Sequence, residues 1–495
     1  MKIKNLKNIP SLSLGLLLFT GCAVGPNYTK PVVKAPSQWS GPLAGGETEN
    51  PAVVSNWWKN FNDPELDSLV GRAAKSNFDL KIAEARVREA RAQSGGAAAD
   101  LWPTVDASGS YARDRESQHQ PVLGSLPVPP GTPFTNNVYQ AGFDASWEID
   151  VFGGKRRAVE SAQAQVAAAE FSQRDVLVTL LGEVARNYID VRGNQRRLEI
   201  ARENIHAQEQ SLAIARDRYA HGLTGDLDVE QAATLLAITQ AEVPALETAI
   251  QASIHRLGVL LGQPPEALQT ELAAVAPIPA APPAVPVGLP SELLLHRPDV
   301  QQAERQLASA TAAIGVAQAD WFPKFYLTGA GGFQSVGTGD WFTPGSRFWS
   351  LGPTMQWNLF DAGRIRANVK VKNAQQEEAL ANYEKTTLGA FEDVENALVA
   401  YAKEQVRRRS LEQAVRSSQA SLALADKLYA NGLTGFINVL DAERSLYQAQ
   451  DALVQSDQTV STDVVALYKS LGGGWEKASL TTASRQSTEK SFNRG

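Results

Sequence analysis

Between Tyr139 and Val151 every second position is apolar: Tyr139, Ala141, Phe143, Ala145, Trp147, Ile149 and Val151. The positions between them are Gln140, Gly142, Asp144, Ser146, Glu148 and Asp150. A later stretch alternates likewise, with Trp349, Leu351, Pro353, Met355, Trp357 and Leu359 on one side and Ser350, Gly352, Thr354, Gln356 and Asn358 on the other. A period of two held this long predicts a strand with one greasy and one polar face. The length suits a transmembrane strand of about 10 residues, with lipid outside and water inside. An amphipathic strand of a soluble sandwich shares the pattern, although ten or more residues is long for one. Each strand is expected to pair with an earlier, glycine-rich one, near 104–116 and near 325–336. The hairpin loops are a Pro-rich one near 121–134 and a shorter one near 337–346. Four strands cannot close a membrane barrel, since about eight is the smallest. An open edge in lipid is not tolerated, so membrane-spanning strands here require several chains.

The stretches Lys155–His221 and Arg364–Asn431 are rich in Ala, Gln, Glu, Arg and Leu and contain no proline. They predict two helices of roughly 100 Å each, far beyond the ordinary ~11 residues, which calls for a bundle or coiled-coil setting. Both end at the same signal, Tyr219-Ala-His-Gly222-Leu-Thr-Gly225 and Tyr429-Ala-Asn-Gly432-Leu-Thr-Gly435. Glycine accepts the left-handed conformation that stops a helix. Return helices follow, Leu227–Leu261 and Ile437–Leu471, and Pro244 is expected to kink the first.

The echo is general. Residues 211–225, SLAIARDRYAHGLTG, and 421–435, SLALADKLYANGLTG, agree at ten of fifteen positions, an offset of 210. Asp79, Ala83, Glu84, Gly95, Asp100 and Pro103 recur 220 residues later as Asp299, Ala303, Glu304, Gly315, Asp320 and Pro323. A looser pair is SWEIDVFGGKRRA (146–158) with QWNLFDAGRIRA (356–367). The chain is thus a tandem structural repeat, which favours a pseudo-symmetric scaffold over one enzymatic pocket. The organisation expected is a signal peptide at 1–21, an extended lipidated segment at 22–56 and a first repeat at 57–262. The first repeat holds a strand pair about 104–151 and a helical hairpin about 155–261. A Pro/Ala-rich linker at 263–291 leads to a second repeat at 292–473, with a strand pair about 325–360 and a hairpin about 364–471. A polar, disordered tail at 474–495 closes the chain.

Composition narrows the class. The 495 residues are 43% hydrophobic and 20% charged, with net charge −6, which gives no support to nucleic-acid binding. The single cysteine, Cys22, excludes an intramolecular disulfide. It follows a basic segment (Lys2, Lys4, Lys7), a short apolar run (Leu12 to Phe19) and Thr20-Gly21. This resembles a bacterial lipoprotein signal, which implies a covalent lipid, palmitate included, on Cys22; a plain secretory signal with an incidental cysteine is the alternative. The apolar run is too short to span a membrane.

Three motifs then carry a family resemblance: Cys22-Ala-Val-Gly-Pro-Asn-Tyr28, Trp57-Trp58-Lys-Asn-Phe61-Asn-Asp63-Pro64-Glu-Leu66, and Leu289-Pro-Ser-Glu-Leu-Leu-Leu-His-Arg297-Pro298-Asp299. The chain resembles the outer-membrane factors of tripartite efflux systems, in their lipoprotein branch. That resemblance implies an α+β membrane protein: a homotrimer whose twelve-stranded outer-membrane β-barrel continues into a twelve-helix periplasmic α-barrel. It also implies a periplasmic adaptor and an inner-membrane proton-driven (RND-type) pump as partners, contact with outer-membrane lipid, no cofactor beyond the acyl group, and a part in antibiotic resistance. The function implied is a passive exit duct for drugs or other small toxic compounds, gated at the periplasmic tip. A type I protein-secretion channel and a lipid-anchored periplasmic coiled coil without a pore are the alternatives.

The tip would be the two helical turns, with Gly222, Gly225, Gly432 and Gly435. The resemblance places Asp441 on the inner wall, and Ile437 one turn earlier shares its helix face. In a trimer they would form a ring of carboxylates and an apolar constriction. The first-copy equivalents are Leu227 and Gln231, so the apolar site is doubled and the acid is single. Some channels of that family carry a second acidic residue one turn from the Asp441 position, where this chain has Asn438, so a double acidic ring is not implied; Asp228 and Tyr429 match family residues that tie the helices together at a closed tip. Alternatively Asp441 is a solvated residue or a first-turn acid favoured by the helix dipole, and Asp228 and Tyr429 cap or pack the turn. Catalytic and metal sites are not expected: the five histidines form no ligand spacing, Gly153-Gly154-Lys155-Arg156 lacks the rest of a phosphate loop, and no GxSxG occurs.

Overall fold

The structure, a computed structural model, describes residues 23–40, 47–48, 55–115, 117, 134–282, 285–288, 290 and 296–475. The signal segment, Cys22, most of the first hairpin loop and the polar tail lie outside them. In chain order the main elements are β1 (Glu47–Thr48), α1 (Pro64–Ser76), α2 (Phe78–Ala99), β2 (Thr104–Arg115) and β3 (Thr135–Ile149). Next come α3 (Gly154–Ala220), α4 (Asp226–Leu260) and β4 (Val285–Pro286). The second half holds α5 (Pro298–Ala319), β5 (Lys324–Ser335), β6 (Arg347–Gln356), α6 (Arg364–Ala430) and α7 (Ile437–Ser470). The duplication is visible in the bounds. The helix and strand α5 and β5 repeat α2 and β2 residue for residue at 220, and α6 repeats α3 at 210. The change of offset therefore falls between Arg115 and Gly154, around the first hairpin loop.

The chain divides into two compact units. One comprises residues 1–29, 92–163 and 308–377, and the other 30–91, 164–307 and 378–495. The first holds a four-stranded antiparallel sheet in the order β2-β3-β5-β6. Partners opposite each other share a face. Register pairs Tyr111 with Tyr139, Ala145 with Gly329, and Gly329 with Leu351, so odd positions of all four strands lie on one side. That side carries Phe143, Trp147, Leu327, Trp349, Leu351 and Met355, all exposed, Trp349 at 81%. The other carries Ser108, whose hydroxyl donates to Asp144 at 3.1 Å, with Gln140 and Thr354. The copies meet at β3–β5, where Gly142 faces Gly332. A Cβ on Gly142 would stand 2.7 Å from the Gly331 carbonyl, so the cross-copy pair needs glycine on both strands.

The strands stop sooner than the alternation predicts. β3 ends at Ile149 and β6 at Gln356, leaving Val151, Trp357 and Leu359 beyond. Equivalent indoles lie near the ends: Trp147, still inside β3, donates to the Leu101 carbonyl at 2.9 Å, and Trp357, just past β6, to that of Trp321 at 3.1 Å. Carboxylates then start the long helices. Asp150 accepts from the amides of Lys155 and Arg156, and Asp361 from those of Gly363 and Ile365. The Ile365 amide foremost, and Gly363, hold the Asp361 carboxyl below its usual range.

In the second unit α7 is braced on both sides. Arg197 of α3 grips Asp451 through two hydrogen bonds, at 2.6 and 3.2 Å, and Gln458 reaches Asp190 at 2.7 Å. From α6, Glu404 accepts the Ser456 hydroxyl at 2.5 Å. Arg297, of the third sequence motif, is 12% exposed at its side chain and holds Asp299 at 2.6 Å, Asp393 at 2.9 Å and the Ser470 carbonyl at 3.1 Å. The second motif packs too: Trp57 is buried and stacks on Tyr468 at 5.4 Å, while Asp63 caps α1 and accepts from Tyr188 at 2.9 Å. The linker 263–291 is not wholly irregular, since β4 pairs in parallel with β1. α4 runs through Pro244 as one helix. Among the described residues no helix is long and apolar enough to cross a membrane.

Candidate functional site at the helical turns

The two turns have one backbone. After α3, Gly222 adopts φ +70°, its amide donates to the Tyr219 carbonyl at 2.9 Å, and Leu223 donates to Arg218 at 2.9 Å. After α6, Gly432 adopts φ +68°, its amide donates to Tyr429 at 3.0 Å, and Leu433 donates to Leu428 at 2.8 Å. This paired pattern satisfies the last carbonyls and needs a left-handed residue, hence glycine. Gly225 and Gly435 follow, and each carbonyl accepts from the first turn of the return helix, through Asp228 and Asn438, at 3.2 Å in both.

The side chains differ. In the first turn Thr224 donates its hydroxyl to the Asp228 carboxylate. In the second the direction reverses, and the Asn438 amide donates to Thr434 at 2.6 Å. Leu227 is 67% exposed and Ile437 46%, so both predicted constriction residues stand outside the chain's own core. Asp441 is exposed and accepts from Arg444 at 2.6 Å. A carboxylate four residues beyond the first return position exists only here, as the sequence implied.

Tyr429 is half-buried against Phe436, with ring centroids 5.0 Å apart, while the Arg218 guanidinium lies over its ring at 4.4 Å. Burial pushes the Tyr429 hydroxyl up, and the nearby Asp228 carboxylate adds to this. That hydroxyl has no hydrogen-bond partner, so Asp228 and Tyr429 feel each other electrostatically without a direct bond. Phe436 belongs to a buried cluster with Leu212, Ala215, Ala232, Val439 and Leu440, drawn from α3, α4 and the start of α7. Just beyond it Glu443, 6% exposed, accepts the Ser211 hydroxyl through one oxygen and leaves the other unpartnered. Burial raises the Glu443 carboxyl above its usual range, and Asp426 raises it further.

Arg218, Phe436 and Glu443 were missed by sequence reasoning. Their first- or second-copy counterparts are Leu428, Asp226 and Ala233, so each is a point where the duplicate breaks. Among the described residues no group of three or more His, Cys, Asp or Glu is placed to hold a metal ion. A cavity of about 430 Å³ is lined by Asp175, Arg297, Asp393, Asp463 and Lys469, and the Arg297 ion pairs described above form part of its wall.

Residues 69–263 and 289–473 match the sequence model described as outer membrane efflux protein, one match per repeat. The toluene efflux pump outer membrane protein TtgI of Pseudomonas putida is 33% identical over 480 residues, covering 96% of this chain and 99% of that one. The pyoverdine export outer membrane protein OpmQ of Pseudomonas aeruginosa is 35% identical over 477 residues, covering 96% and 98%. The solved outer-membrane channel OprN superposes with a TM-score of 0.85 at 36% identity, over 92% of this chain and 100% of that one.

Proposed function

The chain belongs to the outer membrane efflux protein family, and from that premise we propose that it forms a homotrimeric, passive exit duct for small toxic compounds. Three four-stranded sheets close into one twelve-stranded barrel, and twelve helices continue it as a periplasmic α-barrel. A periplasmic adaptor and a proton-driven inner-membrane pump deliver the cargo, and a lipid on Cys22 adds an anchor. The relative named for toluene efflux supports small-molecule cargo over secreted protein.

The single observation that carries this reading is the sheet. It gathers Phe143, Trp147, Leu327, Trp349, Leu351 and Met355 on one exposed face, and among the described residues both its edges, β2 and β6, are unpaired. Such a sheet is stable in lipid only when its edges are satisfied by other copies. At the turns, Ile437 and Leu227 supply an apolar constriction and Asp441 a ring of carboxylates, while Tyr429, Arg218 and Asp228 hold the closed turn together.

Planar-bilayer recording of the purified trimer tests this. Wild type should show small, cation-preferring conductance, and Asp441→Ala with Ile437→Gly should raise the conductance several-fold and weaken the cation preference. A protein that stays monomeric in mild detergent, or a double variant that conducts like wild type, overturns the reading.

A further inference from the structure

The first described residues of the chain are held with unusual care. The Val24 amide donates to the Phe152 carbonyl at 3.0 Å, just past the end of β3. Arg157, in the first turns of α3 and 5% exposed, wraps the same segment. Its Nε donates to the Val24 carbonyl at 3.1 Å, and its Nη2 donates to the Gly25 carbonyl at 3.4 Å and to Asn27 Oδ1 at 2.6 Å. Nη1 pairs with Glu160 at 2.7 Å, which fixes the guanidinium and balances its charge. Burying an arginine requires such full partnering.

Backbone packs on backbone in the same place. Gly25 has φ +96° and lies against Gly315 of α5. A Cβ on Gly315 would stand 2.7 Å from the Val24 carbonyl, and one on Gly153 would stand 2.6 Å from the Ala23 Cα. The duplication supplies an internal control. Gly315 repeats Gly95, around which nothing lies within 4 Å, and Arg157 repeats as Ala367. The cradle thus combines Arg157 of the first copy with Gly315 of the second, while the counterpart pair, Ala367 and Gly95, keeps the glycine without the arginine.

We propose that Arg157, with the facing pair Gly25 and Gly315, forms a seat that holds the residues following the acylated Cys22 and fixes the point from which the acyl chains leave the protein. This rests on reading Cys22 as the lipidated residue. One peptide unit reaches about 3.8 Å, so an acyl group one residue before Ala23 starts beside the end of β3. There Phe152 and Phe322 stack at 4.5 Å and offer an apolar surface. Arg157 acts as a positioning residue.

The test uses the full-length protein with Thr29→Cys carrying a nitroxide. Cys22 takes no label when acylated, so labelling of the otherwise wild-type chain would sink the lipoprotein reading. Subtracting that signal still reads the seat. With the seat intact the nitroxide is immobilised. Arg157→Ala and, independently, Gly315→Ala should shorten its correlation time about tenfold, Arg157→Lys should restore part of it, and Gly95→Ala should change nothing. With benzoylphenylalanine at Phe322, crosslinking to alkyne-tagged palmitate should fall at least tenfold in the two seat variants. Unchanged mobility in both, or equal crosslinking in all variants, overturns the proposal.

Discussion

The turn at Gly222 and the turn at Gly432 share hydrogen bonds and dihedrals, yet only the second is tied inward. Phe436 enters the buried cluster, whereas its first-copy counterpart, Asp226, opens α4 in solvent. Tyr429 sits between Phe436 and Arg218, whereas Tyr219 is 49% exposed. Duplication gave two identical hinges, and divergence at a few side chains made one of them the fastening. The same contrast appears at the strand ends, where only one glycine of the repeated pair meets the N-terminal segment.

The largest expected effect breaks that contrast directly. Phe436→Ala removes a ring that is 3% exposed and should cost about 3–5 kcal/mol of local stability. Asp226→Ala loses only a dipole interaction of about 0.3–1 kcal/mol. Hydrogen exchange at residues 429–440 reads both, and equal responses would erase the distinction. Next come the glycines. Gly222→Ala and Gly432→Ala should each cost about 1–2 kcal/mol, since the strain is in the left-handed backbone and no neighbour stands near either Cβ. Unequal costs would show that the two turns are not one design.

Smaller again is the Arg218–Tyr429 stack. A double-mutant cycle with Arg218→Ala and Tyr429→Leu should give a coupling of about 0.5–1 kcal/mol, whereas Tyr429→Phe should be nearly silent because the hydroxyl is unpartnered. A large cost for Tyr429→Phe would reveal a bond that forms in the assembled protein. The weakest effect concerns Glu443, because Ser211 already offsets part of its burial. Its carboxyl titrates above 4.5 when the helices are packed. The packed state thus holds the proton longer than the separated one, so its full contribution is present below pH 4.5 and is lost as pH rises through the raised value. Glu443→Gln should flatten this slope in hydrogen exchange measured between pH 4 and 8, and an unaltered slope would assign the titration elsewhere.

How far the sequence could be read follows from what each element depends on. Strand alternation, long helices and glycine stops are local signals, and α3, α6 and the Gly222 and Gly432 turns fall within a residue or two of expectation. The strand ends were overrun because Val151, Trp357 and Leu359 continue the apolar rhythm past the last paired residues, Ile149 and Gln356, and the Trp357 indole instead donates to the Trp321 carbonyl. Ile437, Leu227 and Asp441 were named from the sequence, and the structure leaves all three exposed. The inward fastening by Arg218 and Phe436 was not legible, because it pairs residues more than 200 positions apart. The mismatches of the duplicate nevertheless mark each of these residues.

The two unpaired edges bear on biogenesis. Among the described residues of one chain β2 and β6 have no outer neighbours. In the proposed trimer the β6 edge of each chain meets the β2 edge of the next, a head-to-tail contact that is complete only when the last chain arrives. A lone chain and a pair both keep two raw edges, so neither is a resting place within lipid. Insertion and assembly then become a single event, with a rate that depends on chain concentration to about the third power. Halving expression should slow the appearance of channels roughly eightfold, whereas a barrel formed by one chain would slow only in proportion.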